Sequence, residues 1–517
     1  MFSLRQDDAN VAERTDLLLV TPPSRARVYQ GLSTDYAAIE PPVWSGLIAE
    51  YVRRHGYSVR MLDAEALQIG FEDTARRIVE TDAALTVYVI YGQQPSASTQ
   101  CMPAGRAVAG LVARESDRPS LVMGTHASAL PERTLREEPY TYVCQGEGPL
   151  TVTGLLEVLA GKRDLTGVPG LWYRDGGTIR HTAPAARLGD LDAELPRQAW
   201  DLLDMSRYRA HNWQALGDLD NRARYASVQT SLGCPYKCSF CCINAPFGGS
   251  GIRYWSPDAV MAQIDELVGR HNVRFIKIPD EMFVLNKNHV LGLCDRLIER
   301  GYDLNIWAYA RIDTVQPIFL DRLSKAGFRW LGLGIESASK HVRDGVTKGR
   351  FGDADIARTV AAIRDAGIHV SANYIFGLPD DTWESMRETL DMALRLNTEW
   401  ANFYSAMAYP GSALYPLAKE KGWRLPDDPG GPGWIGYSQH ARDCLPLPTE
   451  ALSAGEVLAF RDHAFDTYFA SEPYLSMIEN TFGPCAMRHL REMASHRLER
   501  SFAAPLPSAR HPAALAP

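Results

Sequence analysis

Three cysteines, Cys234, Cys238 and Cys241, stand in a C-x3-C-x2-C spacing inside TSLGCPYKCSFCCINAPFGG, and Cys242 follows at once. In a chain of 517 residues, thiols this close on one loop point to metal or redox chemistry rather than to a disulfide framework. A cubane iron–sulfur cluster has four irons, so three thiolates from one loop leave one iron without a protein ligand. That iron can chelate an amino and carboxylate pair and hand one electron to the molecule it holds. Zinc is the competing occupant, with Cys242 as a nominal fourth ligand. Structural zinc sites usually combine two short ligand pairs from separate turns, and the sequence has no second C-x2-C or H-x3-H partner.

The elements that must position this loop form a repeating pattern. From Tyr225 onward, apolar strand candidates at residues 225–230, 274–278, 305–310, 330–335, 370–376 and 400–407 alternate with helical stretches, which predicts a partial barrel. The first of these helices opens on Ser256-Pro257, a capping residue followed by proline at the first helical position. Asp280 and Glu281 end the second strand and Arg311 ends the third. Ionisable groups at the carboxyl ends of barrel strands sit on the active-site face, and surface ion pairing is the plainer alternative.

Upstream, residues 16–20 (DLLLV), 58–62, 84–90 and 120–123 read as buried strands separated by helix-like stretches such as residues 71–81. That alternation predicts a doubly wound parallel sheet that binds ligands beyond its strand ends. The expected organisation is an α/β chain. A Rossmann-like domain occupies residues 14–155, and residues 156–222 form a connector with a hairpin turning at Asp175-Gly176-Gly177. A partial (β/α)6 barrel follows at residues 223–415. Residues 416–503 form a small, mainly helical region capping the cavity, and residues 504–517 an Ala- and Pro-rich frayed tail.

The cysteine loop, with Phe240 just before its third cysteine, resembles that of the radical S-adenosylmethionine (SAM) superfamily, and the likeness covers about residues 222–415. The resemblance implies a 4Fe-4S cluster on Cys234, Cys238 and Cys241, with SAM on the open iron and Phe240 against its adenine. Gly334-Ile335-Glu336-Ser337 resembles the fourth-strand motif, implying that Glu336 and Ser337 contact the ribose or methionine of SAM. Residues 374–379 (YIFGLP) resemble the adenine-binding fifth strand, implying contacts from Ile375 and Gly377. Asp380 and Asn373 depart from that pattern. Relatives also use groups placed like Asp280, Glu281 and Arg311 to hold the amino and carboxylate ends of SAM. Tyr409-Pro410-Gly411-Ser412 matches a further family element or is a plain turn.

Residues 120–151 carry G-T-H-A-S and G-E-G elements that resemble those of cobalamin-binding domains fused to radical enzymes. The resemblance assigns Gly124, His126, Gly146 and Glu147 to the cobalamin pocket, with Tyr91 as a further lining residue. Glycines at strand ends let the backbone approach a large corrinoid. No Asp-x-His-x-x-Gly motif is present, so His126 is not expected to bind cobalt. Relatives of this kind leave the lower face of cobalamin to loops, here residues 29–44 and 91–99.

The combined architecture resembles the class B cobalamin-dependent radical SAM methyltransferases. It implies methylation of an unactivated carbon, or of phosphorus, in a small-molecule or natural-product intermediate, driven by a deoxyadenosyl radical and methylcobalamin. It also implies an electron donor such as flavodoxin or ferredoxin. Two alternatives remain open on the sequence: a radical enzyme that rearranges, cyclises or oxidises without methyl transfer, and a non-catalytic, zinc-bearing corrinoid sensor. A formal net charge of −8 argues against a general nucleic-acid partner. No apolar run approaches the ~18 residues of a membrane span, and the acidic start MFSLRQDD points to the cytoplasm rather than secretion.

Overall fold

The computed structural model describes residues 15–92, 97–349 and 351–505. Leu17, Leu18, Leu19 and Val20 are each at most 2% exposed, as a strand covered by helices on both faces requires. They form β1 (Leu17–Thr21), which is followed by β2 (Val59–Asp63), β3 (Leu85–Val89), β4 (Ser120–Met123) and β5 (Tyr142–Cys144). These five pair in parallel, with β2 at the edge beside β1 and then β3, β4 and β5 in turn. The fifth strand is too short to stand out as an apolar run. A hairpin of β6 (Leu171–Asp175) and β7 (Thr178–His181) joins antiparallel to β5. The first sheet therefore absorbs part of the stretch read above as a connector. Gly176 and Gly177 take positive φ at the turn, which glycine adopts without steric cost.

The second sheet begins with β8 (Tyr225–Ser227), after which a two-stranded ladder, β9 (Ser231–Leu232) with β10 (Arg253–Tyr254), closes the base of the cysteine loop. β11 (Phe275–Ile278), β12 (Asn305–Arg311), β13 (Phe328–Glu336), β14 (His369–Phe376) and β15 (Trp400–Ser405) complete six parallel strands in the order β15-β14-β13-β12-β11-β8. This is the expected half-barrel, open between β8 and β15. The first strand ends three residues earlier than expected, because Thr230 leaves the ladder to bind Asp280. Ser256 caps the following helix by accepting from the Ala259 amide at 3.1 Å.

Residues 196–222 cross the bottom of the half-barrel. Trp213 lies edge-on to Trp307 and Trp330, each with ring centroids 5.1 Å away, and plugs that end with aromatic surface. Helices Ala454–Phe469, Glu472–Phe482 and Pro484–Ser495 cover the β15 side. The first starts on a capping box of Ser453 and Glu456. The frayed tail expected from residue 504 lies almost wholly outside the described residues. Among the described residues no helix is long and apolar enough to cross a membrane.

Candidate active site at the junction of the two sheets

The cysteine loop is held from beneath by one buried carboxylate. Asp280, 2% exposed, accepts from the Thr230 amide at 2.8 Å, the Thr230 hydroxyl at 2.6 Å and the Ser231 hydroxyl at 2.6 Å. His289 Nε2 lies 2.8 Å from the same Thr230 oxygen. Because that hydroxyl already gives its proton to Asp280, the histidine must be the donor. Burial pushes His289 down to about 4, which keeps the ring neutral, and pushes Asp280 up to about 6 against its own hydrogen bonds. Further up, the Gly251 amide donates to the Cys234 carbonyl, and the Ser239 amide to the carbonyl of Val346 beyond β13. The loop is thus closed on itself and tied to the segment that follows β13.

Cys234 is buried, and Cys238 and Cys241 are half-buried. Arg311 Nη1 lies 3.5 Å from Cys238 Sγ, and its guanidinium stacks 4.0 Å over the Tyr236 ring. Burial raises the Cys234 thiol to about 11 and pushes Cys241 higher, with Glu281 adding to the rise at both. Such thiols become thiolates when a cationic metal centre supplies the missing positive charge. The donor set, three sulfurs on one loop beside a cationic guanidinium, fits a cubane with one open iron. Among the described residues no three His, Cys, Asp or Glu side chains close around a single metal ion.

Around this loop the structure gathers several of the residues expected from the sequence. Phe240 packs with Ile375, Val342, Val346 and Leu378, and Lys348 Nζ lies 5.9 Å from its ring centre. Lys348 pairs with Glu336 at 2.5 Å. Glu336 follows a β-bulge in β13 and has φ +67°, strained for a side chain of this kind and typical of a re-aimed site residue. Glu281 is half-buried on the cavity wall. Burial pushes it up to about 7, with Asp280 adding and Lys277 opposing.

Others are turned to structural work. Asp280 is engaged beneath the loop rather than presented to a ligand. The Ser337 hydroxyl, fully buried, lies 3.3 Å from Thr389 Oγ1 and accepts from the Ser339 amide. At Gly377, φ is +81°, its amide donates to Asp381, and an added Cβ would fall 2.4 Å from Val457 Cγ1. That glycine lets β14 meet the covering helix.

On the other side of the cavity, Gly124 ends β4 with φ +147°, where a Cβ would lie 2.0 Å from the Ile90 carbonyl oxygen. Only glycine permits this approach. The Gly146 amide donates to Ser128 at 3.2 Å. Glu147 does not face the cavity openly: it pairs with Arg253 of β10 and accepts from the Leu188 amide, latching the end of the first sheet to the ladder at the base of the cysteine loop. His126, 1% exposed, sits 3.3 Å from Thr99 Oγ1 and edge-on to Trp434 with centroids 4.4 Å apart.

Burial drives His126 from the ordinary 6.5 down to about 3. Between those values the unfolded chain takes up a proton that the folded one refuses, so stability is lost as pH falls from about 6.5 toward 3. Thermal melts from about pH 7 to 4 are expected to show a shallower loss for His126→Gln than for the wild type. Equal slopes would count against this assignment.

One cavity joins the two halves. Trp44, in the first turn of the helix Val43–Arg54, and Tyr91, just after β3, stacked at 4.8 Å, line it together with Thr125, while Gly233, Glu281 and Tyr309 line it from the barrel. Tyr91 OH, Thr125 Oγ1 and Gln229 Oε1 are buried on this wall without hydrogen-bond partners among the described residues. Buried polar atoms of this kind are costly unless a ligand answers them. A corrinoid rimmed with amide arms offers the matching donors and acceptors, so the residues present fit cobalamin. Residues 93–96 of the expected lower-face loop lie outside the described residues. Sequence reasoning missed Gln229, Tyr309, Lys348 and the buried pair Lys277–Glu40, at 2.9 Å. The members of that pair lie 237 positions apart, and no local pattern joins them.

Comparison with known proteins bears on the same two halves. Residues 228–393 match the Radical SAM superfamily, and residues 30–156 match the B12 binding domain. An uncharacterised methyltransferase of Pyrococcus horikoshii is 29% identical over 407 residues, 78% of this chain and 83% of the relative. An anaerobic magnesium-protoporphyrin IX monomethyl ester cyclase of Cereibacter sphaeroides is 25% identical over 415 residues, 76% of this chain and 63% of the relative. The fold is also that of the radical S-adenosylmethionine methyltransferase TsrM from Kitasatospora setae. Its TM-score is 0.66 at 17% identity, and the match covers 93% of this chain and 100% of that one. With a cysteine loop and an amide-seeking wall facing one cavity, and each half matched to its own family, the chain is a B12-binding radical SAM enzyme whose cofactors are a 4Fe-4S cluster, SAM and cobalamin.

Proposed function

We propose that the enzyme is a cobalamin-dependent methyltransferase that methylates an unactivated carbon, or phosphorus, of a small-molecule or natural-product intermediate. When bound, the cofactors supply a deoxyadenosyl radical and a transferable methyl group. The observation that supports this reading most is the single cavity walled by Trp44 and Tyr91 on one side and Glu281 and Tyr309 on the other. A substrate held there meets both halves at once, as hydrogen abstraction followed by methyl capture demands. The P. horikoshii and K. setae proteins, both methyltransferases by name, lend further support.

In this reading Arg311 holds its charge beside the cysteine loop, fixed by a two-point ion pair with Asp313 at 2.9 Å. Lys348 and Glu336 orient one another beside Phe240. The wall of Tyr and Trp rings excludes water that would quench a radical. The reductant is an electron donor such as flavodoxin or ferredoxin, and the cytoplasm is the matching compartment.

Turnover with methyl-labelled SAM tests the proposal, and the label is expected in the product. Turnover without label in the product would instead favour a ring-forming reaction without methyl transfer, the reading to which the C. sphaeroides cyclase lends support.

A further inference from the structure

Behind the cofactor cavity lies a second chamber inside the half-barrel. The two share Tyr29, Gln100 and Tyr309 on their walls, so the chamber adjoins the cofactor cavity across these three side chains. Its inner wall comes from alternate residues of the strands: Trp307 and Tyr309 of β12, Asn373 of β14, and Trp400, Asn402 and Tyr404 of β15. Residues two apart on a strand face the same way, so the aromatic rings and the two amides form one continuous surface. Trp213 closes the floor, 28° from parallel with Trp400 and 6.3 Å from it.

The charge on this wall is one-sided. Among its described lining residues there is no Asp or Glu, while Lys277 and Arg461 are present. Lys277 is answered by Glu40, whose carboxylate lies toward the cofactor cavity. Arg461 is 4% exposed, donates through Nε to the Phe403 carbonyl at 2.8 Å and through Nη1 to Asp462 at 2.7 Å. Nη2 has no partner among the described residues.

Asp462 is shared, because Arg500 also binds it through two nitrogens at 2.8 and 2.9 Å. One carboxylate facing two guanidiniums leaves a net positive charge in a buried place, where charge is costly without a counterion. His440, beside them, adds no charge of its own: burial first, then Arg461 and Arg500, hold it down to about 3. Arg461 also lines a smaller cleft with Leu32, Phe465, Met493 and Arg497, where the carboxylates of Asp462 and Asp466 are answered by Arg461, Arg500 and Arg497. It therefore stands where that cleft meets the chamber.

We propose that this chamber is the substrate site and that it accepts an aromatic acid, with the ring against Trp307, Trp400 and Tyr404 and the anionic group on Arg461. The proposal rests on the reading of the protein as an enzyme acting on a small molecule. A substrate so held directs the ring edge remote from its acid group toward Tyr309 and the cofactors.

The test is equilibrium binding to the anaerobically reconstituted holoenzyme with 2-naphthoate, 2-naphthyl phosphate, 2-naphthalenemethanol and 2-naphthylmethylammonium. 2-Naphthoate or 2-naphthyl phosphate is expected to bind at least ~10-fold more tightly than the alcohol, about the value of one charge-assisted contact. The ammonium compound is expected to bind most weakly. A carboxylate substrate ranks naphthoate first and a phosphoryl ester ranks the phosphate first; either order supports the proposal. Arg461→Gln should abolish the preference for the anions and Arg461→Lys should retain most of it. Should Arg461→Gln fail to fold, Asn373→Asp, which places a carboxylate on the same wall, should reduce the preference for the anions several-fold, and an unchanged preference would count against the proposal. Equal affinity for acid and alcohol in the wild type, or an anion preference untouched by Arg461→Gln, overturns the proposal. Label transfer without anion preference removes this proposal alone, and anion preference without label transfer removes methyl transfer alone.

Discussion

Replacing Cys234, Cys238 or Cys241 by alanine is expected to abolish deoxyadenosine formation and to bring bound iron far below the about four atoms per chain of a full cubane. On the proposed ligand set each thiolate is one of three protein ligands, and Cys242 is expected not to replace any of them. Arg311, the nearest polar group to Cys238, is a cation that cannot bind iron. Cys242→Ala, by contrast, is expected to keep both the iron and deoxyadenosine formation. Cys242 is 3% exposed and packs toward the turn at Gly411, where an added Cβ would lie 3.6 Å from its own. Its loss costs about 1 kcal/mol of packing. Iron and sulfide analysis with a deoxyadenosine assay on all four variants checks this. Loss of iron in Cys242→Ala equal to that in the other three would show the ligand set to be wrong.

The second large effect is expected at Asp280, which touches none of the cysteines. Asp280→Ala leaves the buried Thr230 amide and the Thr230 and Ser231 hydroxyls without their acceptor. At ~1–3 kcal/mol for each unsatisfied group, chemical denaturation should record a loss of at least about 3 kcal/mol. Cluster content after reconstitution should fall with it, since the loop base would no longer be fixed. Asp280→Asn should behave quite differently. One amide oxygen still accepts from the Thr230 N–H, and the hydroxyls can turn to accept from the new NH2 group, so the cost should be about 1 kcal/mol. An alanine variant as stable and as rich in iron as the wild type would refute the positioning role.

What the sequence displayed and what it concealed follow from the range of the interactions. A strand buried on both faces must be apolar throughout, so β1, β3, β4 and the barrel strands stand out one by one, and their alternation with helices declares both sheets. The cysteine loop is legible because its ligands are local, all within eight positions. Contacts between distant segments leave no such trace. Glu40 meets Lys277, Glu147 meets Arg253, and Arg461 and Arg500 share Asp462, yet each residue alone looks like any surface charge. The same holds for Ser337 and Gly377. Their motif was visible, but only the packing of Thr389 and Val457 against them shows that they support the fold. Trp213, in a stretch without regular pattern, was silent until the half-barrel gave it a place to plug.

The shared carboxylate of Asp462 also sets an order of construction. Chain growth makes the two sheets and the cysteine loop first, Arg461 and Asp462 after every barrel strand, and Arg500 later still. Residues 499–504 then fasten to earlier ones, with Glu499 on Gln30, Ser501 on Arg442 and Ala504 on Gly455. The chamber residues that the C-terminal helices supply, Arg461, Phe465 and Met493, are therefore made after every strand that builds the rest of the wall. Until they arrive, that side of the chamber lacks its cation and its covering side chains in the nascent chain.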